Sequence, residues 1–111
     1  MYNNADLINQ IRKRITETVD PEQVILFGSY AKAQANEKSD IDLFIITDSS
    51  TSQIKEIKRR IRREIRDIII DNQIDVDIFA DSMERFQYRI NIVKDQFYLG
   101  IKNNGKLIYA K

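Results

Sequence analysis

Apolar residues recur along this chain with two spacings, and the spacings sort it into elements. Leu7, Ile8, Ile11, Ile15 and Val19 fall three and four apart, which predicts an amphipathic first helix. Asp20-Pro21 ends it, because the residue before a proline is pushed out of the helical region. Val24-Ile25-Leu26-Phe27 is a continuous apolar run closing on Gly28, the pattern of a buried strand. Ser29 to Gln34 reads as one or two helical turns, and Ala35-Asn36-Glu37-Lys38-Ser39 as a polar loop. From Asp40 to Thr47 the chain alternates as a second strand. Ile41, Leu43 and Ile45 take one face, and Asp40, Asp42 and Phe44 the other.

Asp48-Ser49-Ser50-Thr51-Ser52 is rich in helix-capping residues. It precedes a long helix with Ile54, Ile57, Ile61, Ile65, Ile68 and Ile69 down one side. Asp71-Asn72 turns the chain into a third strand, Ile74 to Phe79. There Asp75 and Asp77 lie opposite Ile74, Val76 and Ile78. Asp81-Ser82 is placed to cap a last helix carrying Met83, Phe86, Ile90, Val93 and Phe97, with Phe97 read as core. Asn103-Asn104-Gly105 then turns into a short strand, Lys106 to Tyr109. The order α-β-α-β-α-β-α-β predicts an α/β (α+β) fold, a small mixed sheet of about four strands packed with helices. At 111 residues, with no repeat, no low-complexity tract and one proline, residues 1–111 are expected to form one domain.

Composition narrows the chemistry. Cysteine and histidine are both absent, which removes disulfides, thiolate nucleophiles, imidazole catalysis and His- or Cys-based metal sites. Carboxylates, hydroxyls, Lys and Arg remain, with oxygen-bound cations such as Mg²⁺ as their natural helpers. Eighteen Lys and Arg against seventeen Asp and Glu leave a net charge of +1, too little for a general coater of polyanions. The positive charge is local. From Lys55 to Arg66 there are seven basic and two acidic residues. A solvated helix face is the first reading of that stretch, and the lack of interleaved aromatics argues against single-stranded nucleic acid. The first residues lack a basic run followed by an apolar one, and no apolar stretch is long enough to span a bilayer. The expectation is a cytoplasmic protein with no membrane partner.

The candidate chemistry begins at Gly28-Ser29. A strand running into Gly-Ser presents backbone N–H groups, and a hydroxyl, to phosphate oxygens; alone, the same pair is an ordinary turn. Asp40 and Asp42 are harder to explain as surface. They leave one face of a strand whose remainder, Ile41-Asp42-Leu43-Phe44-Ile45-Ile46, is too apolar for a wet edge. Side by side they repel each other unless a cation lies between them. Asp75-Val76-Asp77 repeats the device. Three aspartates on neighbouring strands can hold two Mg²⁺ ions about 3.5–4 Å apart, the arrangement of in-line phosphoryl and nucleotidyl displacement.

Leu26-Phe27-Gly28-Ser29-Tyr30-Ala31-Lys32, then Ser39-Asp40-Ile41-Asp42-Leu43, then Val76-Asp77-Ile78-Phe79, closely resemble the minimal nucleotidyltransferases (MNT) of the DNA polymerase β-like superfamily. The likeness runs from Val24 to the terminal segment. It implies the nucleotidyltransferase fold, ATP as donor, Mg²⁺ as cofactor and AMP transfer to a hydroxyl. By position, Gly28, Ser29, Lys32 and Ser39 would bind the nucleotide. Asp40 and Asp42 would bind the metals, and Asp77 would be the catalytic carboxylate and a third metal ligand. Asp75 shares the strand face but fits the family frame less well. The departure is Lys32-Ala33, where the family commonly has Arg-Gly; lysine keeps the charge and loses the planar fork. Stand-alone members resemble the antitoxin of HEPN/MNT pairs, which implies a helical HEPN toxin as partner and acceptor. A non-enzymatic module that neutralises a partner by occlusion, and a small-molecule nucleotidyltransferase, are the alternatives. Self-association is left open.

Overall fold

The computed structural model describes residues 4–111. Four strands, β1 (Gln23–Phe27), β2 (Ile41–Thr47), β3 (Val76–Ser82) and β4 (Lys106–Ala110), form one mixed sheet in the order β3-β2-β1-β4. β1 pairs antiparallel with β2 and with β4, while β2 and β3 run parallel. Helices α1 (Ala5–Val19), α2 (Ile54–Glu64), α3 (Arg66–Asn72), α4 (Met83–Tyr88) and α5 (Gln96–Asn104) complete the chain. The parallel pair needs a crossover, and α2 and α3 supply it.

Side-chain alternation on the strands divides the interior in two. Val24, Leu26, Ile41, Leu43, Ile45 and Ile78 face one way and pack with Ile11 and Ile15 of α1, Ile57 and Ile61 of α2, and Ile65 and Ile68. Ile25, Phe44 and Ile46 face the other way, onto Phe86, Ile90 and Ile101. Both faces of the central strands are therefore covered, which is why β1 and most of β2 read as unbroken apolar runs. Asp42 is the polar interruption.

Three elements differ from the sequence reading. Ser29 to Gln34 forms one turn and no helix, so the expected second α element is absent from the order. Lys32 N–H donates to Gly28 O at 3.2 Å. Ala33 N–H then bonds Tyr30 O at 3.4 Å and Gln34 N–H bonds Ser29 O at 2.9 Å, with Ala33 at φ 57°. That pair of bonds around a left-handed residue is the Schellman stop, and it closes the segment after a single turn. The long helix is divided at Ile65 (φ −102°, ψ 3°), although Ile65 N–H still reaches Ile61 O and Ile69 N–H reaches Ile65 O, both at 3.1 Å. The buried isoleucine side runs through the division, and α3 continues through the expected Asp71-Asn72 turn to end at Gln73.

The last predicted helix is two. Ser82 does cap α4, its hydroxyl accepting from Arg85 N–H at 3.0 Å. Asp81 lies in β3 rather than in a cap, and the strand runs on to Ser82. After α4 a π-helical stretch, Arg89–Val93, ends at Lys94 with φ 59°. Asp95 then starts α5 by accepting from Phe97 N–H (2.9 Å) and Tyr98 N–H (3.3 Å). The new helix carries Phe97 off the earlier face, so it is 45% exposed rather than core. Among the described residues no helix is long and apolar enough to cross a membrane.

Ile61 is fully buried between α1 and the sheet, whereas Ile70 is exposed. Ile61→Ala is expected to lower unfolding stability by about 2–5 kcal/mol, and Ile70→Ala by less than about 0.5 kcal/mol, in urea titrations.

Candidate active site

Antiparallel pairing of β1 with β2 brings the end of one strand beside the start of the other. Asp42 faces Phe27 across that pair. Parallel pairing of β2 with β3 sets Asp77 opposite Asp42. Gly28, Asp42 and Asp77 thus meet at one end of the sheet, on the face that carries Phe44. Gly28 is required there twice. Its φ is +73°, a left-handed value. A side-chain carbon added to it would also overlap Asp42 Oδ2. The carboxylate occupies the space that glycine vacates.

Asp42 is half-buried, and its pKa is pushed up to about 6. Burial is the largest cause. A side-chain hydrogen bond to Asp77 follows, then the negative charges of Asp77 and Asp40. Two carboxyls can hydrogen-bond each other only by sharing a proton. Asp40 is exposed, two residues upstream on the same face, and close enough to act on Asp42 through space. Asp75 lies ahead of β3, where its carbonyl accepts Ile41 N–H at 2.9 Å. It is not among the groups that shift Asp42. The structure joins Asp77, not Asp75, to the β2 carboxylates.

The donor set suits a hard divalent cation. Two carboxylates that hold a proton between them would hold a cation in its place, with Asp40 as the next oxygen donor. Among the described residues no group of three or more acidic side chains is already gathered as a metal cage. The expected trio is present as a close pair with Asp40 beside it.

The remaining predicted residues lie around the pair. Ser29 is half-buried, and its carbonyl anchors the Schellman turn. Lys32 is exposed and lines a cavity of about 240 Å³ with Phe27, Gly28, Phe97, Gly100 and Asn104. Ser39 serves the loop: its hydroxyl accepts from Asn36 N–H at 2.9 Å, and Asn36 Oδ1 accepts from Lys38 N–H at 2.8 Å.

Two clusters escaped the sequence reading. Phe27, Phe79 and Phe97 meet as an aromatic triangle, with centroid separations of 5.5, 5.8 and 5.4 Å, beside the carboxylates and half open to solvent. Phe79 sits two residues after Asp77, so the alternation that placed the aspartates on one face could have placed it there too. The second cluster surrounds Asp81, which is only 4% exposed. Tyr98 donates its hydroxyl to Asp81 Oδ2 at 2.6 Å, and Arg85 Nε lies 3.2 Å from the same oxygen. Burial and then the Asp81 carboxylate hold the Tyr98 hydroxyl up to about 12. No short-range pattern marks this group, because Tyr98 comes from beyond the Lys94 break.

A glycine-backed carboxylate pair thus stands at the end of a small mixed sheet. The family model "Polymerase beta, Nucleotidyltransferase" matches residues 9–111, and the chain belongs to that family of enzymes. A candidate protein adenylyltransferase of Methanocaldococcus jannaschii is 22% identical over 104 residues, which is 94% of this chain and 92% of the relative. A candidate nucleotidyltransferase from Sulfolobus solfataricus shares the fold, with a TM-score of 0.60 and 18% identity over 96% of this chain and 79% of that one. So does a chain of a toxin-antitoxin structure with AMP-PNP, with a TM-score of 0.58 and 18% identity over 93% of this chain and 73% of that one.

Two expectations follow. Ala33 holds the left-handed stop position that suits glycine, at a strain of about 1 kcal/mol. Ala33→Gly should therefore raise the melting temperature by a few degrees without moving Asp42. The second concerns pH. A raised pKa favours the neutral carboxyl in the folded state, so its stabilisation is complete below the unfolded value near 3.8 and is lost as pH rises through about 6. In metal-free buffer Asp42→Asn should match the parent near pH 4 and melt higher than it at pH 7–8. Mg²⁺ should raise the parent's melting temperature at pH 8 more than at pH 5. A parent–variant difference that does not change with pH would remove this assignment.

Proposed function

We propose that this nucleotidyltransferase acts in the cytoplasm, moving AMP from ATP to a hydroxyl on a partner protein, a HEPN-type helical toxin that it thereby silences as the antitoxin. The observation that carries the reading is the Asp42–Asp77 pair in register across β2 and β3 with Gly28 against it. Support for a protein acceptor comes from the name of the Methanocaldococcus relative, and support for a toxin partner from the toxin-antitoxin chains of like fold, one with AMP-PNP and another (TM-score 0.55, 16% identity).

In this reading the open backbone at Gly28-Ser29, with Lys32, receives the triphosphate. Asp40, Asp42 and Asp77 would hold two Mg²⁺ ions, which when bound lower the charge on the triphosphate and the pKa of the attacking hydroxyl. The acceptor oxygen forms a bond to the α-phosphorus, and the bond from that phosphorus to the bridging oxygen breaks. Pyrophosphate leaves, and the hydroxyl proton passes to Asp77. Asp77 is exposed and suits the proton acceptor; Asp42, pressed on Gly28, suits a fixed ligand. No histidine is called for at any step.

A binding module that neutralises its partner by occlusion is the second reading. Lys32-Ala33, in place of the family's usual Arg-Gly, favours it. The purified chain should be incubated with α-labelled ATP, Mg²⁺ and the product of the adjacent gene. Transfer of label to that protein, falling at least about 100-fold in Asp42→Asn and Asp77→Asn, is the expected result. A tight complex that never acquires label would replace it with the module, and label on a small acceptor alone would point to a small-molecule enzyme.

A further inference from the structure

β3 forms one edge of the sheet, and its outer side is open. In the parallel ladder with β2, Ile41 N–H bonds Asp75 O. The alternation that follows turns the odd residues of β3 toward β2 and the N–H and C=O groups of Val76, Ile78 and Ala80 outward. Among the described residues no other backbone or side chain bonds these outward groups. Seven residues of unpaired edge form a template for another strand.

The flanks of this edge are cationic. A cavity of about 320 Å³ opens along it at Ala80, lined also by Lys55 and Lys58 of α2, Asp81, Arg85 and Tyr98. Asp81 is buried and already bound by Tyr98 and Arg85. Nearby Glu56 is paired with Arg59 at 2.7 Å. Among the described residues Lys55 and Lys58 have no carboxylate partner, and the Arg85 side chain, beside Asp81, is 43% exposed.

We propose that the outer edge of β3 docks an extended, acidic segment of the partner protein as an added strand, and that this segment carries the acceptor hydroxyl. The final clause rests on the AMP-transfer reading; the docking does not. A residue of the added strand level with Asp77 sends its side chain to the face that bears the Asp77 carboxylate, at a cross-strand separation of about 5 Å. A hydroxyl there is beside the proton acceptor. An acidic residue four positions along the added strand, about 13 Å from the first, is level with Asp81 and turns to Arg85, with Lys55 and Lys58 of α2 lining the same cavity from the other face of the sheet. The backbone would give affinity, and the two side chains would give register.

The test needs no nucleotide. Binding of the full chain to a nine-residue peptide, Thr-Val-Tyr-Val-Thr-Val-Glu-Val-Thr, and to its reversed counterpart is measured by fluorescence anisotropy. Lys in place of Glu gives the control. Binding is expected for at least one direction, and the Lys control should be at least about tenfold weaker. N-methylation of one alternate set of peptide amides should weaken binding at least about tenfold, and methylation of the other set should leave it nearly unchanged. Ala80→Pro removes an outward N–H and leaves the ladder to β2 intact; with Lys55→Glu/Lys58→Glu as an independent variant, both should bind less well. The proposal is overturned if neither peptide binds at millimolar concentration, if both methylated sets bind like the parent peptide, or if the chain is a dimer that Ala80→Pro separates. Binding that passes these tests while label transfer fails leaves the docking standing and removes the catalytic reading. Transfer to the partner that is indifferent to Ala80→Pro and to the double charge reversal does the reverse.

Discussion

Strand register is the constraint on which this molecule's chemistry depends. Parallel pairing of β2 and β3 sets Asp42 against Asp77. A slip of one residue would turn every β3 side chain to the other face, sending Asp77 toward the isoleucines of α1 and α2 and Ile78 toward the site. The hydrophobic core forbids that slip. Leu43 and Ile78 are both buried on the side opposite the carboxylates, and Ile41 and Ile45 lock the same side of β2. The apolar face fixes the polar one.

The close approach of like charges has a thermodynamic consequence. Half-buried beside Asp77, Asp42 gives up its proton less readily than a free carboxyl, its pKa pushed up to about 6. Ionising it costs the folded state stability, so a cation bound there would be coupled to folding. Gly28 sharpens the coupling, since a larger residue could not share the space with Asp42 Oδ2. Ala33 shows the same logic at lower cost: the Schellman stop that turns the chain toward Asp40 accepts alanine with strain, where Gly28 accepts nothing else.

Legibility in the sequence followed the range of the interactions. The strands, α1 and the capping by Ser82 rest on patterns within a few residues, and each was readable. The shared face of Asp42 and Asp77 was readable for the same reason, because a period of two on a short apolar strand sets it. The failures came where a single residue overrode a longer pattern. Ala33 in a left-handed conformation stops the turn after Gly28 although alanine favours helix. Lys94 and Asp95 restart the last helix and carry Phe97 into solvent beside Phe27 and Phe79. The Asp81–Tyr98–Arg85 group joins residues 17 apart in sequence across that break, a contact no local period encodes.

Charge is arranged along the same axis. With a net of only +1, the excess of five on the Lys55–Arg66 stretch leaves the rest of the chain at −4 (1 − 5). Arg59 and Arg60 spend their charge internally, on Glu56 and on Thr18 O, and Arg14 holds Asp67. Exposed pairs of this kind add little to stability. The lysines at the start of α2 are different in position, because they stand along the open edge of β3 while the carboxylates stand at its other end. A polypeptide laid along that edge would meet a positive field first and the acidic pair at its far end. Orientation on the edge would then be selected by charge before any side chain reached the site, which separates binding from chemistry within one seven-residue strand.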